Sequence, residues 1–302
     1  MEDIYSIRKK LENYKNIKQI TEAMKLAAIT GYAQCSKRIV FIKDYLSKLS
    51  KTTAQFLQLL QNNDSINSLN HTPIFFENSN TKKTLVILVG PTKDLASGIA
   101  TKLKAFIPKV LNPSSTNTLD FILIGKGARK ILEQQSFEST HYKIIEEHPT
   151  FNFHQSMSIA KKISNFIAIN PSMYKKCMIL NMRFRSFFLQ QKNGKILYPI
   201  ADSLEIKKEL DSLNKSKSTN SFLLEQDEKS LAIELGHKYL EINILYEMLE
   251  SLTAENAARF VAMDKAATNA EKFITETTLL MNKARQVLIT KQITEISCYS
   301  DI

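Results

Sequence analysis

Cysteine, histidine and tryptophan are scarce in this sequence, and their scarcity excludes several kinds of site. The 302 residues include no tryptophan, five histidines and three cysteines, Cys35, Cys177 and Cys298. The cysteines lie far apart and form no CxxC pair, so we expect neither a disulfide framework nor a zinc site. The histidines are scattered too, whereas a tetrahedral metal site needs several ligands at close spacing. The sequence therefore predicts a protein without a metal or other cofactor.

Long apolar runs are also missing. The longest, Leu85–Val89, is far shorter than the roughly 18 residues that a membrane-spanning helix needs. The first ten residues, MEDIYSIRKK, are acidic and then basic, and no apolar signal region follows them. We expect a protein that faces the cytosol and is not exported, although it could dock on a membrane complex.

Proline is absent from the first 72 and the last 103 residues, because all seven prolines lie between Pro73 and Pro199. Proline breaks helix interiors, so its absence permits long helices at both ends of the chain. Five of the seven glycines also fall in the middle, the exceptions being Gly31 and Gly236. The chain thus divides into two helix-permitting ends and a middle segment of different character.

The N-terminal end has a helical apolar period. From Cys35 to Leu60 the apolar positions alternate in steps of four and three residues, which is typical of a coiled coil. An earlier part of the seam is shifted in phase and runs through Ile17, Ile20, Met24 and Ala27. This shift predicts a three-residue stammer.

The C-terminal end keeps one heptad phase from Leu235 to Leu288. At about 1.5 Å per residue, this stretch would form a rod of roughly 80 Å. If the two end helices pair, they must run antiparallel, since both are rooted in the middle segment. The small residues Ala267 and Ala270 would then let the backbones approach closely. The residues we expect opposite them are Ala27, Ala28 and Gly31; a different partner for the small seam is the alternative.

The middle segment changes period and predicts parallel βαβ units. Its apolar runs predict strands at Thr84–Val89, Leu119–Gly125, Tyr142–Glu147 and Lys176–Met182. Amphipathic stretches between them predict helices at Lys93–Ile107, Ala128–Gln135 and His154–Ile169. A hairpin is expected around Asn193-Gly194 and a linker at Ser212–Ser221. The predicted fold class is α/β: a long antiparallel coiled coil of the terminal helices plus a central Rossmann-like α/β domain, over residues 1–62, 80–210 and 222–302.

Two glycine-containing turns could suggest nucleotide binding, but neither fits a phosphate-binding motif. The stretch IGKGARK (Ile124–Lys130) has Lys130 where the dinucleotide fingerprint has its third glycine. The stretch GPTKDLASG (Gly90–Gly98) lacks the Gly-Lys-Ser/Thr of a P-loop. Spacing suggests no Ser-His-Asp or Cys-His constellation either, so we expect no catalytic site.

Charge is uneven along the chain, whose net charge is +11. Residues 1–62 carry 11 Lys/Arg against 5 Asp/Glu, whereas residues 222–302 carry 8 against 13. A basic excess can bind nucleic acid, a membrane surface or acidic proteins, or it can simply be a solvated surface. Polar and apolar residues interleave in NKARQVLITKQITEI (Asn282–Ile296), which is either a solvated helix face or a contact strip for another protein.

Two stretches carry a resemblance to a known family. ESLTAENAARFVAMDKAATNAEKFI and MNKARQVLITKQITEI, within Glu250–Ile296, resemble the C-terminal helix of the gamma subunit of the rotary F-type ATP synthase. IRKKLENYKNIKQITEAMKLAA (Ile7–Ala28) is similar to the N-terminal helix of that family, and the middle segment matches weakly. Two departures from the family pattern are the segment Thr92–Ala100, where the family is glycine-rich, and Gln292, where it often has glutamate.

The resemblance implies a non-catalytic central rotor shaft. Its coiled coil would turn inside a ring of alpha and beta subunits, and its α/β domain would contact the epsilon subunit and the membrane ring of c subunits. Proton flow through that ring would drive rotation and ATP synthesis, with the protein peripheral to the cytoplasmic side of the bacterial inner membrane, or on the matrix side in a mitochondrion. The family positions near beta-subunit loops correspond here to Met24, Arg259, Arg285, Gln286, Thr290 and Glu295.

Two other classes of function stay open on the residues alone. One is an α/β enzyme with a helical arm, which the missing phosphate loop disfavours. The other is a basic coiled coil that binds nucleic acid, which the acidic last helix and the few aromatic stacking sites disfavour.

Overall fold

The computed structural model describes residues 4–62, 75, 81, 83–93, 98–111, 118–135, 142–170, 173–216 and 228–300. These residues form two compact units. The larger unit is Gly31–Ala258, and the smaller one combines Met1–Thr30 with Arg259–Ile302.

The strands of the larger unit form one five-stranded sheet in the order β3-β2-β1-β4-β5. They are β1 (Thr84–Val89), β2 (Leu119–Ile124), β3 (Tyr142–His148), β4 (Lys176–Phe184) and β5 (Gln190–Tyr198). The first four strands pair in parallel, and β5 is antiparallel to β4. The predicted parallel α/β domain is therefore confirmed.

The helices include two that are far longer than the rest. They are α1 (Ile4–Asn62), α2 (Ile99–Lys104), α3 (Ile107–Val110), α4 (Lys126–Glu133), α5 (Phe153–Ile169), α6 (Leu204–Ser216) and α7 (Glu228–Ser300). A short 3₁₀ helix at Ile200–Asp202 lies between β5 and α6. Both unbroken terminal helices expected from the proline-free ends are present.

The sheet of the larger unit has apolar side chains on both faces. Leu85, Ile87 and Ile179 lie on one face with α5 and the buried residues of α1 and α7 in this unit. Val86 and Leu88 lie on the opposite face with α2, α3 and α4. This explains the continuous apolar runs of the strands, because alternate residues enter two different cores. Each such side chain stabilises the fold by about 1.5–3 kcal/mol through burial.

Three local predictions in the middle segment need correction. The Asn193-Gly194 turn is wrong, because both residues lie inside β5, opposite Asn181 and Leu180. The chain instead reverses over residues 185–189. A Cβ on Gly194 would lie 3.2 Å from Leu180 Cδ2, so this glycine makes room for a side chain.

The predicted linker and the first predicted crossover helix are also wrong in part. Residues 212–216 belong to α6, which buries Ile206, and residues 217–221 lie outside the described part of the chain. The helix predicted over Lys93–Ile107 is observed as α2 and α3, while residues 94–97 lie outside the described part. The break precedes Pro108, which lies in the first turn of α3 and could not continue α2.

In the smaller unit, α1 and α7 form an antiparallel pair. Tyr14 stacks on Phe273 with ring centroids 5.3 Å apart. Lys18 Nζ lies 3.1 Å from Glu271 Oε1, and Lys25 Nζ lies 2.6 Å from Asp264 Oδ1. Residue numbers rise on one helix while they fall on the other, so the predicted antiparallel coiled coil is confirmed.

The predicted stammer near Ile17 is wrong. Ile17 is 46% exposed and Ile20 is 55% exposed, and both Met24 and Ala27 are also exposed. The seam runs instead through Ile7, Leu11, Tyr14, Lys18, Thr21, Lys25 and Ala28, in unbroken steps of four and three. It contains polar residues because Lys18 and Lys25 find carboxylates on α7, and the Thr21 hydroxyl donates to the Ile17 carbonyl.

The small seam of α7 is buried where the sequence predicts it. Ala267 is 9% exposed and Ala270 is 3% exposed, and Ala28 of α1 is 1% exposed. Ala27 points to solvent, and the neighbour of Gly31 in the larger unit is Asn256. Of the three residues expected opposite the small seam, only Ala28 is therefore a buried residue of the smaller unit.

Replacing Ala270 by phenylalanine should overpack this seam and lower the free energy of unfolding by about 1–3 kcal/mol. The measurement is chemical denaturation of the purified chain followed by circular dichroism. Ala23→Phe is the matched control, because Ala23 is exposed on α1 and should be near neutral. Equal stability of the two variants would mean that Ala270 faces no packed partner.

Candidate protein-interaction site

The carboxyl edge of the sheet is where open α/β folds bind nucleotides, at the point where strand order reverses. Here that point lies between β1 and β4. The loop after β1 holds a carboxylate of the chain itself. Backbone N–H groups of Thr92 and Lys93 donate to Glu255 of α7 at 2.9 and 3.1 Å, and the Thr92 hydroxyl lies 2.9 Å from it. Amide groups that could cradle a phosphate are thereby used to hold α7.

The two glycines of IGKGARK serve close packing at the same edge. Gly125 has φ +90°, and a Cβ there would lie 2.4 Å from the Gly90 carbonyl oxygen. A Cβ on Gly127 would lie 2.5 Å from Pro91 Cγ. Both positions therefore require glycine because the loops after β1 and β2 touch, which accounts for the motif without a bound ligand.

The last described turns of α7 differ from the rest of the helix in exposure. The pairs Tyr14–Phe273 and Lys18–Glu271 place Ile4, the first residue of α1, opposite positions near 284. Every side chain from Arg285 to Ile296 is exposed. The predicted seam therefore ends at Ala284, and Leu288 is not a buried member of it.

This exposed segment carries apolar side chains. Val287, Leu288, Ile289, Ile293 and Ile296 are each 42–69% exposed. Contiguous exposed apolar side chains rimmed by polar ones mark interaction sites on soluble proteins. We call residues 285–296 the terminal strip.

The predicted contact residues fall into two groups in the smaller unit. Four of them, Arg285, Gln286, Thr290 and Glu295, lie in the terminal strip. The Thr290 hydroxyl donates to the Gln286 carbonyl at 2.9 Å, and Glu295 lies 3.8 Å from Lys291 Nζ.

The other two predicted residues, Met24 and Arg259, lie at the opposite end of the same helix pair. Arg259 is 26 residues before Arg285, which is about 39 Å along a helix. Met24 is 38% exposed, whereas Arg259 is only 8% exposed. The structure thus brings four of the six residues together, and Arg259 is buried within the chain.

Sequence reasoning missed the buried carboxylates of α7. Glu247 is fully buried and Glu255 is 2% exposed, and neither residue was singled out from the sequence. One available signal was that Glu247 stands between Tyr246 and Met248 in an apolar part of the helix. That signal does not reveal which donors meet the carboxylates.

Two features are absent from the described residues. Their His, Cys, Asp and Glu side chains form no group of three or more that could hold a metal ion. Among the described helices, none combines the length and the hydrophobicity needed to cross a bilayer.

Fold and site together define a class: an α/β domain between two long helices that pair antiparallel, with exposed apolar and polar side chains at the end of the last helix. The chain belongs to the ATP synthase family, whose family model matches residues 3–298. The family resemblance noted in the sequence is confirmed.

Curated relatives match over the whole chain. An ATP synthase gamma chain of Chlorobium chlorochromatii is 25% identical, over 98% of this chain and 97% of the relative. The gamma chain of Pelodictyon phaeoclathratiforme is 26% identical over 100% and 99% of the two chains.

Solved structures share the fold. A chain from the rotor of the Euglena gracilis mitochondrial ATP synthase is 16% identical with a TM-score of 0.55, over 95% of this chain and 98% of that one. A chain from the central stalk and c-ring of the Tetrahymena thermophila enzyme is 16% identical with a TM-score of 0.57, over 82% and 99%. The predicted fold class is thereby confirmed.

Proposed function

We propose that this chain is the central rotor shaft of a proton-driven ATP synthase. Segments 1–62 and 222–302 act as the shaft, and segment 80–210 acts as the foot that meets the c-subunit ring and the epsilon subunit. The observation that carries the proposal is the terminal strip, where a continuous helix leaves its partner and exposes both apolar and polar side chains. Membership of the ATP synthase family supports the same role.

The shaft works by being asymmetric inside a ring of alpha and beta subunits. Proton flow turns the c-subunit ring, the foot and shaft turn with it, and each beta subunit is driven in sequence through open, loose and tight states. Nucleotide chemistry belongs to the ring, and this chain is a non-catalytic subunit. It sits peripherally on the cytoplasmic side of a bacterial inner membrane, or on the matrix side in a mitochondrion.

The chemistry of the terminal strip suits a moving contact. A shaft that bound one beta subunit tightly and permanently could not turn. Exposed Arg285 and Gln286 can exchange one hydrogen-bond partner for another, because an arginine fork can release one carboxylate and take the next. Thr290 and Glu295 extend this polar set, and exposed Met24 acts near the other end of the helix pair, where Arg259 is buried.

Rotation of this chain inside an assembled ring tests the proposed function directly. We would co-express the chain with alpha and beta subunits, fix the ring to a surface through the beta subunits, and attach a bead to the α/β domain. ATP should drive rotation in one direction. A chain that co-purifies with nucleic acid instead of the ring would favour the alternative of a basic coiled coil.

The isolated chain should not hydrolyse ATP. The amide groups after β1 hold Glu255, and the glycines after β2 pack against the loop that follows β1, so the edge that binds nucleotides in related folds is used for packing. The measurement is phosphate release by the purified chain, with ring subunits excluded by mass spectrometry. Turnover above that of a buffer blank would favour the α/β enzyme with a helical arm.

A further inference from the structure

A cluster of charged and amide side chains, of which Arg183, Asn193 and Glu205 are half-buried and the others buried, lies in the larger unit where β4 and β5 meet α7. We call it the inner polar cluster. Its members are Asn181, Arg183, Asn193, Lys195, Glu205, Asn243 and Glu247.

Glu247 of α7 is the centre of the cluster and is fully buried. Its carboxylate accepts from Arg183 Nε at 3.2 Å and makes a second, shorter contact with another nitrogen of that guanidinium. It also accepts from Asn181 Nδ2 and Asn193 Nδ2, each at 3.1 Å. The contacts of Glu247 come from both strands of the β4–β5 hairpin, so one carboxylate joins α7 to two strands.

Lys195 of β5 forms a second link to α7, next to the one made by Glu247. Its Nζ lies 2.5 Å from Asn243 Oδ1 on α7 and 2.6 Å from Glu205 Oε1 on α6, and it is 3.7 Å from Glu247. Glu205 in turn accepts from the Tyr239 hydroxyl of α7 at 3.4 Å. Burial, and then the charge of Glu205, raise the pKa of Tyr239 to about 12, so this hydroxyl keeps its proton at neutral pH. These contacts tie α7 to β5 and α6.

A buried ion pair is a poor way to gain stability. Removing charges from water costs so much that well-packed apolar side chains of the same volume often serve as well or better. Apolar side chains of the same helix are accommodated in the core of this unit, where Leu240, Ile244 and Met248 are fully buried. Charges at this place therefore call for a reason other than stability.

The directional character of hydrogen bonds supplies that reason. Apolar contacts are non-directional, and a helix can turn about its axis while keeping much of its buried area. Hydrogen bonds to a carboxylate weaken steeply when their angles change. The cluster therefore resists a change in the angle of α7 against the sheet, whereas the apolar core alone would resist it less.

We propose that the inner polar cluster is the joint that fixes the rotational angle of α7 against the α/β domain, with Arg183 and Glu247 as its positioning residues. This inference rests on the proposed rotor function. Torque that enters at the α/β domain must pass to α7, which continues as one helix into the terminal strip. The cluster limits twisting of α7 relative to the α/β domain while the torque is transmitted.

The test replaces the charges by apolar side chains of similar length, in the double variant Arg183→Met with Glu247→Leu. The complete complex is placed in inverted membrane vesicles. The measurement is the number of protons transported per ATP hydrolysed while an opposing proton gradient is present. In the double variant this ratio should fall to less than half of the wild-type value, because the loosened joint yields under load. A purely structural role would change the amount of complex formed and leave the ratio intact.

The matched control is Arg129→Met with Glu147→Leu. That ion pair, at 2.9 Å, joins α4 to β3 in the same domain and does not touch α7. The control should keep the wild-type ratio. Folding of each purified variant is checked by its melting temperature. If the double variant does not fold, Arg183→Lys keeps the charge but loses the fork, and its ratio should fall below the wild-type value.

The experiments distinguish failure of the proposed rotor function from failure of the proposed joint. A wild-type chain that neither joins the ring nor rotates overturns the proposed function. If the wild type rotates and pumps, and a folded cluster variant matches its ratio, the joint is overturned while the rotor function stands.

Discussion

Replacing Arg285 and Gln286 together by alanine lowers ATP turnover of the assembled complex about tenfold, the factor that about 1.4 kcal/mol in the barrier produces. Both side chains are exposed in the terminal strip, so the chain should fold as before. A hydrogen bond to a charged group contributes about 1.5–3 kcal/mol, which is enough to bias a rotation step without locking it. The measurement is ATP hydrolysis by purified complex, normalised to the amount of beta subunit.

Lys272→Ala is the matched control for this prediction. Lys272 is an exposed cation on the same helix, but it lies in the part of α7 that pairs with α1. Its replacement should leave turnover near the wild-type value. Wild-type turnover in the Arg285/Gln286 variant would show that the polar side chains of the strip are only a solvated face and that bulk shape transmits the torque.

Replacing Glu247 by alanine should lower the free energy of unfolding by about 3–5 kcal/mol, because it leaves the Arg183 charge partly buried without its carboxylate. Burial would lower the pKa of the Arg183 guanidinium, but the hydrogen bond and charge of Glu247 outweigh burial and raise it. The carboxylate therefore offsets the cost of removing the guanidinium charge from water. Urea denaturation of the purified chain, followed by circular dichroism, measures the change.

Glu133→Ala provides the comparison for Glu247→Ala. Glu133 also pairs with an arginine, Arg129 at 2.9 Å, but both side chains are more than half exposed. An exposed i,i+4 pair contributes only about 0.3–0.5 kcal/mol. A loss of stability at Glu247 no larger than the loss at Glu133 would show that water or another group replaces the carboxylate.

Much of the fold could be predicted from apolar spacing alone. β1, β2 and β4 coincide with apolar runs because each of them is buried on both faces, whereas the edge strand β3 is only half-buried. The coiled-coil seam from Met263 to Ala284 follows the heptad because every member is apolar or small, apart from Thr277. Spacing fails where polar residues occupy apolar positions: Lys18 and Lys25 sit in the seam of α1 because Glu271 and Asp264 face them.

The candidate site, too, could be predicted only in part from the sequence. The resemblance of the last helix to a known family pointed to Arg285, Gln286, Thr290 and Glu295, and the structure finds these residues exposed and close together. Their role as contacts for a beta subunit stays a prediction. No sequence pattern predicted the burial of Arg259 or the end of the seam at Ala284, since both depend on which distant residues pack against α7.

By itself, the sequence determined the two long helices, the parallel α/β domain between them and the family, because apolar period and proline placement act locally along the chain. The tertiary structure alone decided which polar residues are buried. Glu247 and Glu255 differ little from solvated helix residues until Arg183, Asn193 and the amides of Thr92 and Lys93 reach them from distant segments. A charge can be buried only where its partners meet it, and those partners are brought together by the fold.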